Sequence, residues 1–180
     1  LVEVPLYNTS AVTTMQNMFY SCTSLPTIPQ FDTKKVTSTE NMFYRCVSLH
    51  TVPSLDMRSN TQLRGMFNLC SKLTTCYLRN IKANLQVGSG TSYGHLLTLD
   101  SLIHLIKELR NTGSVKTFTV GSANLEKLAN VHVKLIDTTD EMRAEDDLID
   151  EKLPFEVCES TDEGAMLITD YILEKNWNIA

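Results

Sequence analysis

The sequence predicts an α/β fold: a solenoid of about four repeats, each a short strand and a short helix, followed by a C-terminal α/β cap. Three observations carry that prediction. The first 96 residues align without a gap in lines of 24, LVEVPLYNTSAVTTMQNMFYSCTS, LPTIPQFDTKKVTSTENMFYRCVS, LHTVPSLDMRSNTQLRGMFNLCSK and LTTCYLRNIKANLQVGSGTSYGHL. The first two lines share 11 of 24 positions, including the whole of Asn-Met-Phe-Tyr. A period of 24 falls in the range of about 20–29 residues typical of leucine-rich repeats, where each unit is one strand plus a return segment. Charge then changes sign along the chain: residues 1–99 carry eight basic and four acidic groups, residues 100–180 eight and seventeen. The sequence therefore divides into repeats over 1–96 and a cap over 97–180.

Each line has the same internal logic. Leu25, Ile28 and Phe31 form an L-x-x-I-x-x-F strand pattern, matched by Leu1, Val4 and Tyr7 and by Leu49, Val52 and Leu55. Pro5, Pro29 and Pro53 follow the second apolar position and are expected to end the short strand, because proline has no N–H for a sheet ladder. Asn8, Asp32, Asp56 and Asn80 stand where a side-chain acceptor closes a turn. Met15, Met18, Phe19 and Cys22 then sit at i, i+3, i+4 and i+7, the spacing of one helix face. Met42, Phe43 and Cys46 repeat this stripe, as do Leu63, Met66, Phe67 and Cys70. The fourth line decays, and residues 82–96, with Gly88-Ser89-Gly90, are expected to be a flexible connector leaving the repeats.

The cap is not repetitive. An amphipathic helix is expected from Asp100 as N-cap to near Asn111, with Leu102, Ile103, Leu105, Ile106 and Leu109 on its apolar face. Strands are expected at Val115–Val120, Val131–Ile136 and Phe155–Cys158, short helices at Ala123–Asn130 and Thr161–Lys175, and a terminal strand at Trp177–Ala180.

Composition narrows the function classes. Of 180 residues, 42% are hydrophobic, 21% charged and 7% aromatic, which excludes wholesale disorder, collagen and coiled coil. No apolar run approaches the roughly 18 residues of a membrane span. Net charge is −5 with no basic block, which argues against a general nucleic-acid grip. Five cysteines, an odd number, argue against a full disulfide framework. Leu1 opens on the first position of a repeat without a polar cap, and terminal repeats normally need one. The expectation is that further repeats or another domain precede it.

The segment LPTIPQFDTKKVTSTENMFYRCVS resembles the BspA-like leucine-rich repeat family, in the variant with an M-F-x-x-C helix end and an L-x-x-I-P strand. The match covers residues 1–80. The stretches VKTFTVGSANLEKL, PFEVCESTDEGAMLITDYI and KNWNIA are similar to the cap that follows such repeats in proteins of gut-dwelling anaerobes and their phages. What the resemblance implies is an adhesion or recognition protein without catalysis, on a cell surface or a virion.

Stacked repeats present outward positions every 24 residues, a surface suited to macromolecules rather than to a deep small-molecule site. The outward strand positions are Glu3, Thr27, Thr51 and Thr75, with Leu6, Gln30, Ser54 and Leu78 further on. Tyr20 and Tyr44 form a second column, which offers large contact area at low entropy cost or packs between neighbouring repeats. The candidate ligand-binding residues are thus Thr27, Gln30, Thr51, Ser54, Tyr20 and Tyr44.

Other chemistry finds weak support. Cys22, Cys46 and Cys70, held roughly 5 Å apart by stacking, read as one repeated core position rather than as disulfides or metal ligands. Cys76 and Cys158 have no C-x-x-C neighbour and the four histidines are scattered, so no zinc site is expected. The acidic run Asp140, Glu141, Glu145, Asp146, Asp147, Asp150 and Glu151 lacks the D-x-D-x-D-G loop of a calcium site and reads as a solvated face. No G-x-S-x-G, H-E-x-x-H or phosphate loop is present. An enzyme would need a pocket near His104, His132 and the acidic run, and His104 reads better as a helix-surface residue. Asn8-Thr9-Ser10 matches a glycosylation sequon that carries no meaning in a bacterial or phage context.

The expected function is non-enzymatic recognition of a protein or glycan on a host or neighbouring cell, displayed extracellularly on a bacterial surface. No cofactor and no metal are expected. The alternative is a host-recognition or structural part of a phage tail fibre, with a homo-oligomer formed through flanking regions.

Overall fold

In the computed structural model, which describes residues 1–87, 97–110, 112–135, 155–174 and 176–179, residues one period apart in the repeats lie side by side. Thr14, Ser38 and Gln62 form one column of parallel bridges, and Thr27 bridges Thr51 in another. That second column widens into strand β1 (Thr51–Asp56), paired in parallel with β2 (Thr75–Arg79).

The segment after each strand is not the expected short helix. Met18, Tyr20 and Cys22 donate their N–H groups three residues back, to Met15, Asn17 and Phe19, which makes a run of tight turns. The alternate amides leave the unit altogether: Met15, Asn17, Phe19 and Ser21 donate to Ser38, Glu40, Met42 and Tyr44 at 2.7–3.0 Å. Thr39, Asn41, Phe43 and Arg45 donate in the same way to Gln62, Arg64, Met66 and Asn68. Turning every second amide outward requires left-handed backbone at Asn17 and Ser21 (φ 58° and 57°), Asn41 and Arg45, and Gly65 and Leu69. No α-helix contains such residues four apart. Apolar spacing alone reads as helical, but pairing with the neighbouring unit decides the backbone.

Stacking also sets what is buried. Phe19, Phe43 and Phe67 form a column of near-parallel rings with centroids 5.6 and 5.8 Å apart, worth about 0.5–1.5 kcal/mol per pair beyond area burial. Leu25, Ile28 and Phe31, and Leu49, Val52 and Leu55, are all buried. The thiols of Cys46 and Cys70 each donate to the carbonyl of the phenylalanine one unit back, Phe19 and Phe43, at 3.0 Å. Thr9 and Thr33 sit inside the turns, and their hydroxyls donate to the Asp32 and Asp56 carbonyls of the next unit. Met18, placed on the buried stripe by spacing, is 41% exposed, whereas Met42 and Met66 are fully covered.

Proline does not end the strand as expected. β1 runs through Pro53, and its register against β2 slips between Val52, opposite Cys76, and Leu55, opposite Leu78. A residue with no N–H is tolerated at such an irregularity because the ladder skips it. The slip also moves Leu78, expected outward, to the buried face.

The connector prediction fails at its start. Leu85–Gln86 is a strand, β3, in a parallel sheet of order β3-β4-β8 with β4 (Lys116–Thr119) and β8 (Trp177–Ile179). Residues 88–96 lie outside the described residues. The period nevertheless persists past the predicted boundary: Thr98 donates its N–H to the Thr74 carbonyl, as Thr74 does to His50 and His50 to Pro26. There a helix, α1 (Leu99–Lys107), takes over from a strand. Its N-cap is Thr98, not Asp100, since the Thr98 hydroxyl accepts from the Ser101 amide and Asp100 lies in the first turn. Leu102, Leu105 and Ile106 are buried beneath it.

The remaining cap holds α2 (Ser122–Leu128) and an antiparallel sheet of order β6-β5-β7, from β5 (His132–Leu135), β6 (Phe155–Cys158) and β7 (Met166–Leu167). The helix expected over 161–175 is shorter: residues 161–164 turn through Gly164 at φ 77°, β7 follows, and α3 covers only Ile168–Glu174. A chain that enters left-handed backbone cannot begin a helix there.

Phe43 stacks on both sides, so Phe43→Ala is expected to cost about 3–5 kcal/mol. Lys34→Ala, at an exposed side chain, should stay within about 0.5 kcal/mol. Equal shifts of the two midpoints in a urea titration would contradict this packing.

Candidate functional site

The six predicted ligand-binding residues fall into three pairs, each joined across one period. Tyr20 and Tyr44 stack face to face, centroids 4.8 Å apart and planes 6° apart, with Tyr20 half exposed and Tyr44 partly covered. The Thr27 hydroxyl donates to the Thr51 carbonyl at 3.1 Å. The Gln30 amide nitrogen donates to the Ser54 carbonyl. Thr27 and Gln30 are exposed, but their side-chain donors thus serve the neighbouring unit. Tyr20 keeps half its surface exposed, and neither tyrosine hydroxyl has a hydrogen-bond partner among the described residues.

One hollow, of about 370 Å³, adjoins these columns at Gln30 and Ser54 and is also lined by Asp32, Asp56, Lys34 and Arg79. Another, of about 640 Å³, is a cleft between Thr61–Arg64 of the third unit, residues 82–86 of the fourth, and Lys116, Thr117 and Thr119 of the cap. The cleft was not legible in the sequence. Arg64 shares the column of Gln16 and Glu40, which signals only exposure, and Lys116 belongs to a segment without any period.

Between the hollows runs a buried polar chain that joins repeats to cap. Asn80, in left-handed backbone, donates from its amide nitrogen to the Asp56 carboxylate at 2.8 Å and from its backbone N–H to Glu108 Oε2 at 2.9 Å. Its side-chain oxygen accepts from the fully buried Arg110 guanidinium, which also lies 3.8 Å from Glu108. The indole of Trp177 donates to the Arg110 carbonyl at 2.9 Å. Asn80 was expected to close a turn like Asn8, Asp32 and Asp56. Those three do accept from Ser10, Lys34 and Arg58, while Asn80 bridges to the cap instead.

With this geometry in view, comparison with known proteins is informative for the repeats. Residues 2–80 match the family described as Mycoplasma protein of unknown function, DUF285. No curated protein and no solved structure matches the chain. The DUF285 match ends at Asn80, the residue whose side chain leaves the repeat pattern to reach Arg110.

Among the described residues no three His, Cys, Asp or Glu side chains cluster to hold a metal. His104 is partly buried; its Nε2 lies 3.1 Å from the Leu78 carbonyl and its ring meets Tyr77 edge-on. It ties α1 to β2 rather than standing free on a helix surface. His132 Nδ1 lies 3.2 Å from the Asn130 carbonyl. The acidic run 140–151 lies outside the described residues.

All five cysteines are free thiols. Burial pushes the Cys46 thiol up to about 11, and the Cys70 and Cys76 thiols up to about 12. At pH 8 only about one in a thousand Cys46 groups is then a thiolate, and fewer of the other two. Iodoacetamide at pH 8 should therefore modify the half-buried Cys22 and Cys158 first, and Cys46, Cys70 and Cys76 only on unfolding. Peptide mass mapping that finds Cys46 labelled early would contradict the packing.

Burial works to raise the Asp56 carboxyl, but the Asn80 hydrogen bond, the Arg58 amide and the Arg58 charge outweigh it and hold it below the ordinary value. A depressed carboxylate adds stability above its unfolded value, about 3.9, that is lost as pH falls through the folded one. Asp56→Asn should flatten the acid limb of the stability curve below about pH 4. An unchanged limb in urea titrations from pH 5 to 2 would remove Asp56 from the account.

Proposed function

We propose that this protein is a non-catalytic recognition module, a leucine-rich-repeat solenoid with a C-terminal cap, that binds a protein or glycan outside the cell at a bacterial surface. The observation that carries this reading is the stacked Tyr20–Tyr44 pair, aligned by the period, with Tyr20 half exposed. Aromatic rings held by a rigid ladder offer contact area without ordering cost, and their hydroxyls add polar reach. A flat aromatic face of this kind suits the apolar face of a sugar ring as well as a protein side chain. The polar hollow at Gln30 and Ser54 adds donors and acceptors of both charges. The BspA-like repeat pattern supports the same reading, and it lies within residues 2–80, which the DUF285 match covers.

The test is an array of glycans and surface proteins probed with the whole chain, followed by Tyr20→Ala and Tyr44→Ala on any ligand found. Each variant should weaken binding about tenfold or more, as hot-spot aromatics do, while the melting temperature of Tyr20→Ala stays close to the parent. Full binding by the double variant would mean that the tyrosines only pack, and an empty array would overturn the recognition reading.

A further inference from the structure

The 640 Å³ cleft opens where the fourth unit leaves the ladder. Gln62 pairs with Ser38, one period before it. Gln86, one period after Gln62, pairs instead with Thr119 of β4. The two backbones that elsewhere lie side by side are here driven apart, and each keeps an edge without a backbone partner among the described residues. On one side, the Leu63 amide stands in the column where Met15 and Thr39 donate to Ser38 and Gln62, yet it has no backbone acceptor among the described residues. On the other, β3 is an edge strand, paired among the described residues with β4 on one flank only.

The walls are polar and cationic. Arg64 and Lys116 line the cleft, and Glu40 is the one carboxylate among its described lining residues. Glu40 already accepts from the Gln16 amide at 3.4 Å. The Asn84 side chain accepts from the Thr117 amide and so holds β3 on β4 rather than closing the gap. The volume lies within the roughly 300–1,000 Å³ of ligand sites.

We propose that this cleft binds an extended acidic peptide segment of a partner protein, added as a strand between Thr61–Arg64 and β3. Two facing backbone edges select a polypeptide over a polysaccharide. An extended chain supplies a carbonyl or amide every second residue, which is the spacing at which the Met15, Asn17, Phe19 and Ser21 amides donate to the second unit. Arg64 and Lys116 then select carboxylate side chains on that strand, through charge-assisted hydrogen bonds. This site is separate from the tyrosine column, so either can fail without the other.

The test uses fluorescence anisotropy with the whole chain and a labelled (Glu-Val)₄ peptide at low salt. Three controls are a (Lys-Val)₄ peptide, a (Glu-Val)₄ peptide N-methylated at alternate residues, and polygalacturonate as competitor. Expected results are saturable binding of (Glu-Val)₄, at least about tenfold weaker binding of the lysine and N-methylated peptides, and poor competition by polygalacturonate. Arg64→Glu and Lys116→Glu should each weaken binding about tenfold, with circular dichroism unchanged. Absence of binding overturns the proposal. So does equal binding of the N-methylated peptide, which would reduce the site to a cationic patch, or stronger binding of polygalacturonate, which would make it a glycan site.

Discussion

Stacking in this protein depends on one constraint: alternate backbone amides of one unit must find carbonyls on the next, 23 positions on. The Met15, Asn17, Phe19 and Ser21 amides do so on the second unit, and the Thr39, Asn41, Phe43 and Arg45 amides on the third. Each such bond is worth only about 0.5–1.5 kcal/mol net, but a buried amide left without a partner costs more than that. The ladder therefore enforces the period. It brings Phe19, Phe43 and Phe67 into one column and Tyr20 and Tyr44 into another. It also explains left-handed backbone at serine, arginine and leucine, where glycine would be the easier residue.

A ladder of this kind must end somewhere, and the cap ends it in two ways at once. On the strand side the period continues into Thr98 and α1 covers β2, with the Ser101 hydroxyl accepting from the Cys76 amide. On the turn side β3 departs to β4, and the cleft opens. Asn80 stands between the two outcomes. It holds Asp56 of the third unit with one side-chain atom and Arg110 of the cap with the other, so the chain changes partner without stranding a buried charge.

The repeat phase and the buried apolar positions of the second and third units were legible because a period repeated in sequence becomes a period in space, whereas Leu1 and Tyr7 of the same pattern are exposed. The turn run at 15–22 was not legible as turns. Met15, Met18, Phe19 and Cys22 have helical spacing, and only the hydrogen bonds to the next unit show that the amides alternate. Pro53 was read correctly as an interruption of the ladder but wrongly as a strand end, because a register slip accommodates it. Leu78 followed from that slip. The cleft lay beyond sequence reasoning altogether: Arg64 and Lys116 are 52 positions apart in unrelated segments, and nothing local announces that they share a wall.

By itself the sequence determined the 24-residue spacing, the apolar columns and the change of charge between the two parts of the chain, since these depend only on residue type and position. Tertiary structure alone decided the backbone of the turns, the hand-over from strand to helix at Thr98, and the meeting of Asp56, Asn80, Glu108 and Arg110. The physical reason is the same in each case. A hydrogen bond to a neighbour one unit away competes with the bond a segment would make to itself, and its outcome is settled only when the neighbour is in place.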